Sequence, residues 1–193
     1  MPIEYDRLFA AGLDLQDIPA AAMGEWEITH TTTRDRTQTT LAHDTRGEVM
    51  SNADIEIDAA ASFAASSSGH IVVLGLGLGL VTRLLLARRE VDFVDVIESE
   101  FHVIELTGKQ LLLQHYGRVQ LHNADAYSPE VIEVFGRQRR PDAVFADTFD
   151  TADEHTWADR QEARRLWGPH TERLVIWEEA RSQMAARSRL GSM

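Results

Sequence analysis

The sequence contains no cysteine. That excludes a disulfide, a thiolate nucleophile and a thiolate-ligated metal, and it agrees with a reducing compartment. Long apolar runs are also lacking. The longest, Ile71 to Val81, is broken by glycines and too short to span a bilayer, so no membrane partner is expected. The N-terminus carries Glu4 and Asp6 where a secretory signal would place basic residues before an apolar stretch, so the cytoplasm is the expected location. Basic residues are few, 19 Lys and Arg against 31 Asp and Glu, for a net charge of −12. A surface of that sign repels phosphate backbones; no nucleic-acid partner is expected, and a small neutral or cationic substrate is. Lysine is almost missing, Lys109 being the single one. What remains is ordinary for a soluble globular chain: 44% apolar and 26% charged residues over 193 positions, enough for one domain with a full core.

The most informative segment spans residues 70–98. An apolar run breaks into the alternating glycines Gly75, Gly77 and Gly79, a helical stretch follows, and a second apolar run ends in Glu98. A strand, a glycine turn, a helix and a second strand tipped by an acid form a nucleotide-binding half-unit. The glycines let the main chain approach a ligand, and the acid can take both hydroxyls of a ribose. A dinucleotide site wants G-x-G-x-x-G; the spacing here is G-x-G-x-G, with Leu80 following, which suits a smaller, phosphate-free ligand. The competing reading is a turn that needs glycine for packing alone.

The rest of the chain supports that unit. Tyr5, Leu8, Phe9 and Leu13 could form one face of a short helix ended by Pro19. Residues 25–43, with Trp26, Ile28 and two threonine-rich runs about Arg34-Asp35-Arg36, predict a hairpin or small meander, with another short strand at 47–50. Helix is expected over 55–65, 80–89, 101–116 and 151–167. Short apolar strands are expected over 70–74, 92–97, 119–122, 143–146 and 174–177. Ser128-Pro129 predicts a helix N-cap with proline at the first position. This alternation predicts an α/β domain over 55–193, a doubly wound, Rossmann-like parallel sheet truncated after strand five, preceded by a helix and β-hairpin lead-in over 1–54. Ligands in such sheets bind at the carboxyl ends of the strands.

The remaining chemistry sits at those ends. Ser99 follows Glu98, and the alternative for this pair is a solvated acid beside a helix cap. Asp125, flanked by Ala124 and Ala126, could accept an adenine amine, or could form a simple Asx-turn. Asp147 ends the fourth strand, with Asp150 three residues on and His155 beyond. These acids could hold and deprotonate a substrate amine, or favour the N-terminus of the next helix. A metal held by Asp147, Asp150 and His155 is the weaker alternative, and no histidine pair has metal-ligand spacing. The candidate cofactor-binding residues are therefore Gly75, Leu76, Gly77, Gly79, Glu98, Ser99, Ala124, Asp125 and Asp147. The candidate catalytic residues are Asp147, Asp150 and His155, and no metal ligand is assigned.

Over about residues 45–178 the chain resembles class I S-adenosylmethionine-dependent methyltransferases, in the branch that looks like spermidine synthases. The resemblance rests on Leu74-Gly75-Leu76-Gly77-Leu78-Gly79, on Phe93-Val94-Asp95-Val96-Ile97-Glu98, on Ala124-Asp125-Ala126 and on Asp147-Thr148-Phe149-Asp150. The placement of the β-rich lead-in is similar to the small N-terminal domain of spermidine synthases. The resemblance implies S-adenosylmethionine as cofactor, or its decarboxylated form, and methyl transfer to a small, amine-bearing acceptor. Aminopropyl transfer and a non-catalytic cofactor-binding or assembly domain are the alternatives. Val73 stands where methyltransferases often carry an acid, and Leu78 where aminopropyltransferases carry an aspartate. The sheet edge after strand five must be covered by the lead-in, the tail or another subunit, which makes a homodimer one expectation.

Overall fold

The structure, a computed structural model, describes residues 15–34, 37–148 and 154–177. The expected helix at residues 5–13 lies outside the described residues. A 3₁₀ turn, Leu15–Asp17, leads into an antiparallel sheet of four strands in sequential order: β1 (Ala21–Met23), β2 (Trp26–Thr32), β3 (Thr37–His43) and β4 (Gly47–Ser51). Threonine and branched residues alternate inward and outward along β2 and β3, with Trp26, Ile28, Thr39 and Leu41 buried. Helix α1 (Asp54–Ala65) then crosses to the second sheet.

That second sheet is parallel, with order β7-β6-β5-β8-β9. Its strands are β5 (Gly69–Leu74), β6 (Val91–Glu98), β7 (Val119–Asn123), β8 (Ala143–Ala146) and β9 (Arg173–Ile176). In chain order the strands run three, two, one, four, five. The winding therefore reverses between β5 and β8, and ligands of doubly wound sheets bind at that switch point. Each crossover carries a helix: α2 (Leu80–Leu86) after β5, α3 (101–114) after β6, α4 (129–138) after β7 and α5 (Glu154–Trp167) after β8. Both α3 and α4 contain a π-helical stretch, Ile104–Gly108 and Ile132–Gln138. Ser128 caps α4 as its sequence predicts, its hydroxyl accepting the Val131 N–H at 3.4 Å.

The sheet is buried on both faces, which is why its strands read as unbroken apolar runs. Ile71, Val73, Val94 and Val96 face one cluster with α1, α2 and α3. Val72, Leu74, Ile97, Val144 and Ala146 face the other, with Phe135 of α4 and Ala163 and Trp167 of α5. Trp26, Ile28 and Leu41 belong to the first cluster, so the antiparallel sheet shares a core with the parallel one.

One charged group is sealed inside this sheet. Asp95 on β6 has no exposed surface. It accepts hydrogen bonds from His70 Nε2 at 2.8 Å and His122 Nε2 at 2.7 Å, and from Arg139 Nη1. Burial alone would raise its pKa, but the bonds from His122, His70 and Arg139 outweigh burial and hold the carboxyl well below the usual aspartate range.

Candidate functional site

The glycine loop joins β5 to α2 through main-chain conformations that side chains resist. Gly75, Gly77 and Gly79 all have positive φ, at +90°, +51° and +74°. At Gly75 the reason is a close backbone approach: a Cβ there would overlap the carbonyl oxygen of Asp147. The loop is tied to its neighbours, with the Gly75 N–H donating to Ile97 O and the Asp147 N–H to Leu74 O, both at 2.8 Å. The ends of β5, β6 and β8 are thereby locked together at the switch point.

Glu98 ends β6 directly beneath this loop and is 9% exposed. Its Oε2 accepts the Leu76 N–H and its Oε1 the Glu100 N–H, each at 2.8 Å. Burial pushes its carboxyl above the ordinary glutamate value, against the opposing pull of the Glu100 and Leu76 N–H groups. The Gly77 N–H bonds the same carboxylate, so three main-chain donors share its lone-pair sites and capacity for a further donor remains. The capping alternative for Ser99 is not what the structure holds: Glu100 occupies the N-cap position of α3 without a side-chain cap, and Glu98 takes its N–H.

A cavity of about 420 Å³ opens at this point between the two sheets. Gly75, Gly77, Glu98, Ser99, Asp125 and Asp147 line it from the parallel sheet. Three other candidate residues do not. Leu76 contributes only its N–H, its side chain being packed in the core. Gly79 caps α2 and faces Leu111, whose Cδ1 would lie 2.9 Å from a Cβ. Ala124 donates its N–H to Glu98 O at 3.0 Å and packs against the second core cluster. Asp125 Oδ1 accepts the Tyr127 N–H at 2.9 Å, so the Asx-turn and the cavity lining coexist in one residue. Asp150 lies outside the described residues. His155 sits on the first turn of α5, its side chain outside the described residues. Among the described residues no cluster of three or more His, Asp or Glu could hold a metal.

Several lining residues went unnoticed in the sequence. Trp26, Glu48, Val49 and Met50 come from the antiparallel sheet, Arg46 from its β3–β4 turn, and Tyr127 and Thr148 from the loops after β7 and β8. Tyr127 Oη and Thr148 Oγ1 are 2.6 Å apart, and burial pushes the phenol up to about 12, so it stays neutral at physiological pH. The cavity wall carries six carboxylates, Glu48, Glu56, Glu98, Glu100, Asp125 and Asp147. Arg46 is the cation among the described lining residues. Its guanidinium lies 4.8 Å over the Trp26 ring and 3.9 Å from Glu100 Oε1.

No family model matches the sequence, and no curated protein matches it. Solved structures similar to this chain include a spermidine synthase in complex with the transition-state analogue AdoDATO, at 17% identity and a TM-score of 0.48 over 68% of this chain and 47% of that one. The N-terminal domain of EvdMO1 with SAH bound is similar at 19% identity and 0.48, over 64% of this chain and 49% of that one. The methyltransferase domain of bacterial CtHen1-C is similar at 14% identity and 0.48, over 64% and 65%. The chain thus spans about half the length of the first two. The parallel sheet with helices on both faces is the Rossmann-like arrangement expected from the strand–helix alternation. Among the described residues no helix is long and apolar enough to cross a membrane.

Proposed function

We propose that this chain is an S-adenosylmethionine-dependent methyltransferase acting on a small amine. The observation that supports the reading most is Glu98, a buried carboxylate at the tip of β6 that lines the cavity beside the glycine loop and accepts that loop's Leu76 N–H. The donor set suits the group. A volume of about 420 Å³ lies within the usual range for small-molecule sites. A lining of six carboxylates suits a sulfonium and an amine, both cationic. A dinucleotide is poorly served, because Arg46 is the cation of the described lining and already meets Glu100 and Trp26.

When bound, the cofactor supplies a methyl group activated on sulfur. Ionised Glu98 accepts the two ribose hydroxyls with the lone pairs its loop bonds leave over. Asp125 accepts the exocyclic amine of the base, and buried Ala126 lines the cavity beside it. Asp147 orients the acceptor nitrogen and receives its proton. Positioning by groups fixed this way supplies much of the rate in such reactions. The proposal extends to a cytoplasmic location and to a homodimer covering the outer edge of β9, which sedimentation as a single protomer would remove.

A second reading, aminopropyl transfer to a polyamine from the decarboxylated cofactor, draws support from the antiparallel sheet that roofs the cavity with Trp26, Val49 and Met50. Calorimetric titration tests both readings, with S-adenosylmethionine, its demethylated product, the decarboxylated form and a nicotinamide cofactor. Binding of the first two is expected. Preference for the decarboxylated form selects aminopropyl transfer, and binding of the nicotinamide cofactor alone overturns both. Turnover with small amines then separates an enzyme from a binding domain.

A further inference from the structure

We propose that Met50 holds the place of the ligand's charged tail, and so sets how strongly the cavity selects a nucleoside that carries one. The inference rests on the adenosyl-ligand reading above and names the residue that governs the far end of that ligand. Met50 lies on β4 and lines the cavity, although β4 belongs to the antiparallel sheet. The β3–β4 ladder pairs Leu41 with Met50 but Ala42 with Glu48, so Val49 is an extra residue. Such a bulge bends its strand and re-aims the side chains beside it. Here it turns the thioether onto the glycine loop. Met50 Sδ accepts the Leu78 N–H at 3.2 Å, and a Cβ on Gly77 would overlap that sulfur. Gly77 is therefore bare where a side chain of this same protein rests on it.

Thioether sulfur is a weak acceptor for a main-chain N–H. A carboxylate oxygen is a far stronger one, because the bond becomes charge-assisted. Leu78 N–H thus stands as a donor held by a replaceable partner. The amino-acid tail of S-adenosylhomocysteine can claim it only if Met50 withdraws. A nucleoside thioether without that tail, 5′-methylthioadenosine, leaves Met50 where it is.

The test is calorimetric titration of the whole chain and its Met50→Ala variant with those two compounds. Met50→Ala is expected to tighten S-adenosylhomocysteine about fivefold, the scale of one modest hydrogen bond, and to leave methylthioadenosine within about twofold. Met50→Leu keeps the bulk and removes the acceptor. It is expected to move in the same direction by less, and it serves where thermal unfolding shows the alanine variant misfolded. Equal changes for both ligands, or weaker binding of the tailed one, would show Met50 to be plain wall and overturn the inference while the nucleoside reading stands. Binding of methylthioadenosine alone by every form has the same meaning. Failure of both ligands to bind any form overturns the inference and the nucleoside reading together.

Discussion

Replacing Glu98 would take an acceptor from the Leu76 and Glu100 N–H groups and, on the proposed reading, from a ribose, so its effect is expected on binding and on the loop together. Glu98→Ala is expected to weaken binding of S-adenosylhomocysteine by about 1–3 kcal/mol, the cost of leaving donors unpaired. Unchanged affinity by calorimetry would take Glu98 out of the site. The pH dependence has a definite sign. The ionised carboxylate is the acceptor, and burial raises its pKa above 4.5. Affinity should therefore fall on acidification at a pH higher than an ordinary glutamate would give. The same shift makes the folded chain bind the Glu98 proton more readily than the unfolded one, so this group's contribution to stability declines as pH rises from 4.5 through the raised value. The glycines differ in the same residue-by-residue way. Gly75→Ala would drive a methyl into the backbone oxygen of Asp147, whereas Gly77→Ala meets only the movable end of Met50. The first should lower the thermal midpoint markedly more than the second, and equal losses would contradict the assigned contacts. That G-x-G-x-G marks a tight turn was legible from spacing. That Gly79 serves α2 against Leu111 and Gly77 serves Met50 was not, because both partners are far away in sequence.

Among the elements, β6 carries two opposite uses of a carboxylate. Glu98 at its tip faces the cavity, and Asp95 three residues earlier is locked between β5, β7 and the end of α4. Asp95→Asn should cost about 3–5 kcal/mol of unfolding free energy, as expected when a buried charged network loses one member. Its depressed pKa makes this stabilisation present above about pH 3.8 and lost as pH falls below it, so urea midpoints of wild type and variant should converge in acid. A constant gap down to acid pH would show that charge is not the source. The strands themselves were readable: β8 runs over the predicted residues 143–146, because a strand buried on both faces is a short apolar run bounded by polar ones. The Asp95 cluster was invisible, since His70 and His122 reach it from separate strands, 25 and 27 positions away, through a parallel register that no local pattern encodes.

For the molecule as a whole, the reversal of winding between β5 and β8 decides where the cavity lies, and the antiparallel sheet decides how enclosed it is. The doubly wound core followed from strand–helix alternation. The roof did not, because Trp26, Arg46 and Met50 carry no catalytic signature and meet the glycine loop only through tertiary packing. Net charge acts at this scale too. With −12 overall, the chain should show no salt-dependent binding to RNA in fluorescence anisotropy at low ionic strength; retention that weakens with added salt would contradict the small-molecule acceptor. The central claim is the seat of the nucleoside, and a crystal structure of the chain grown with S-adenosylhomocysteine measures it most directly. The account predicts both ribose hydroxyls on Glu98, the base beside Asp125 and the tail at the glycine loop with Met50 moved aside. A nucleoside bound elsewhere, with Glu98 still bonded only to main-chain N–H groups, would contradict it.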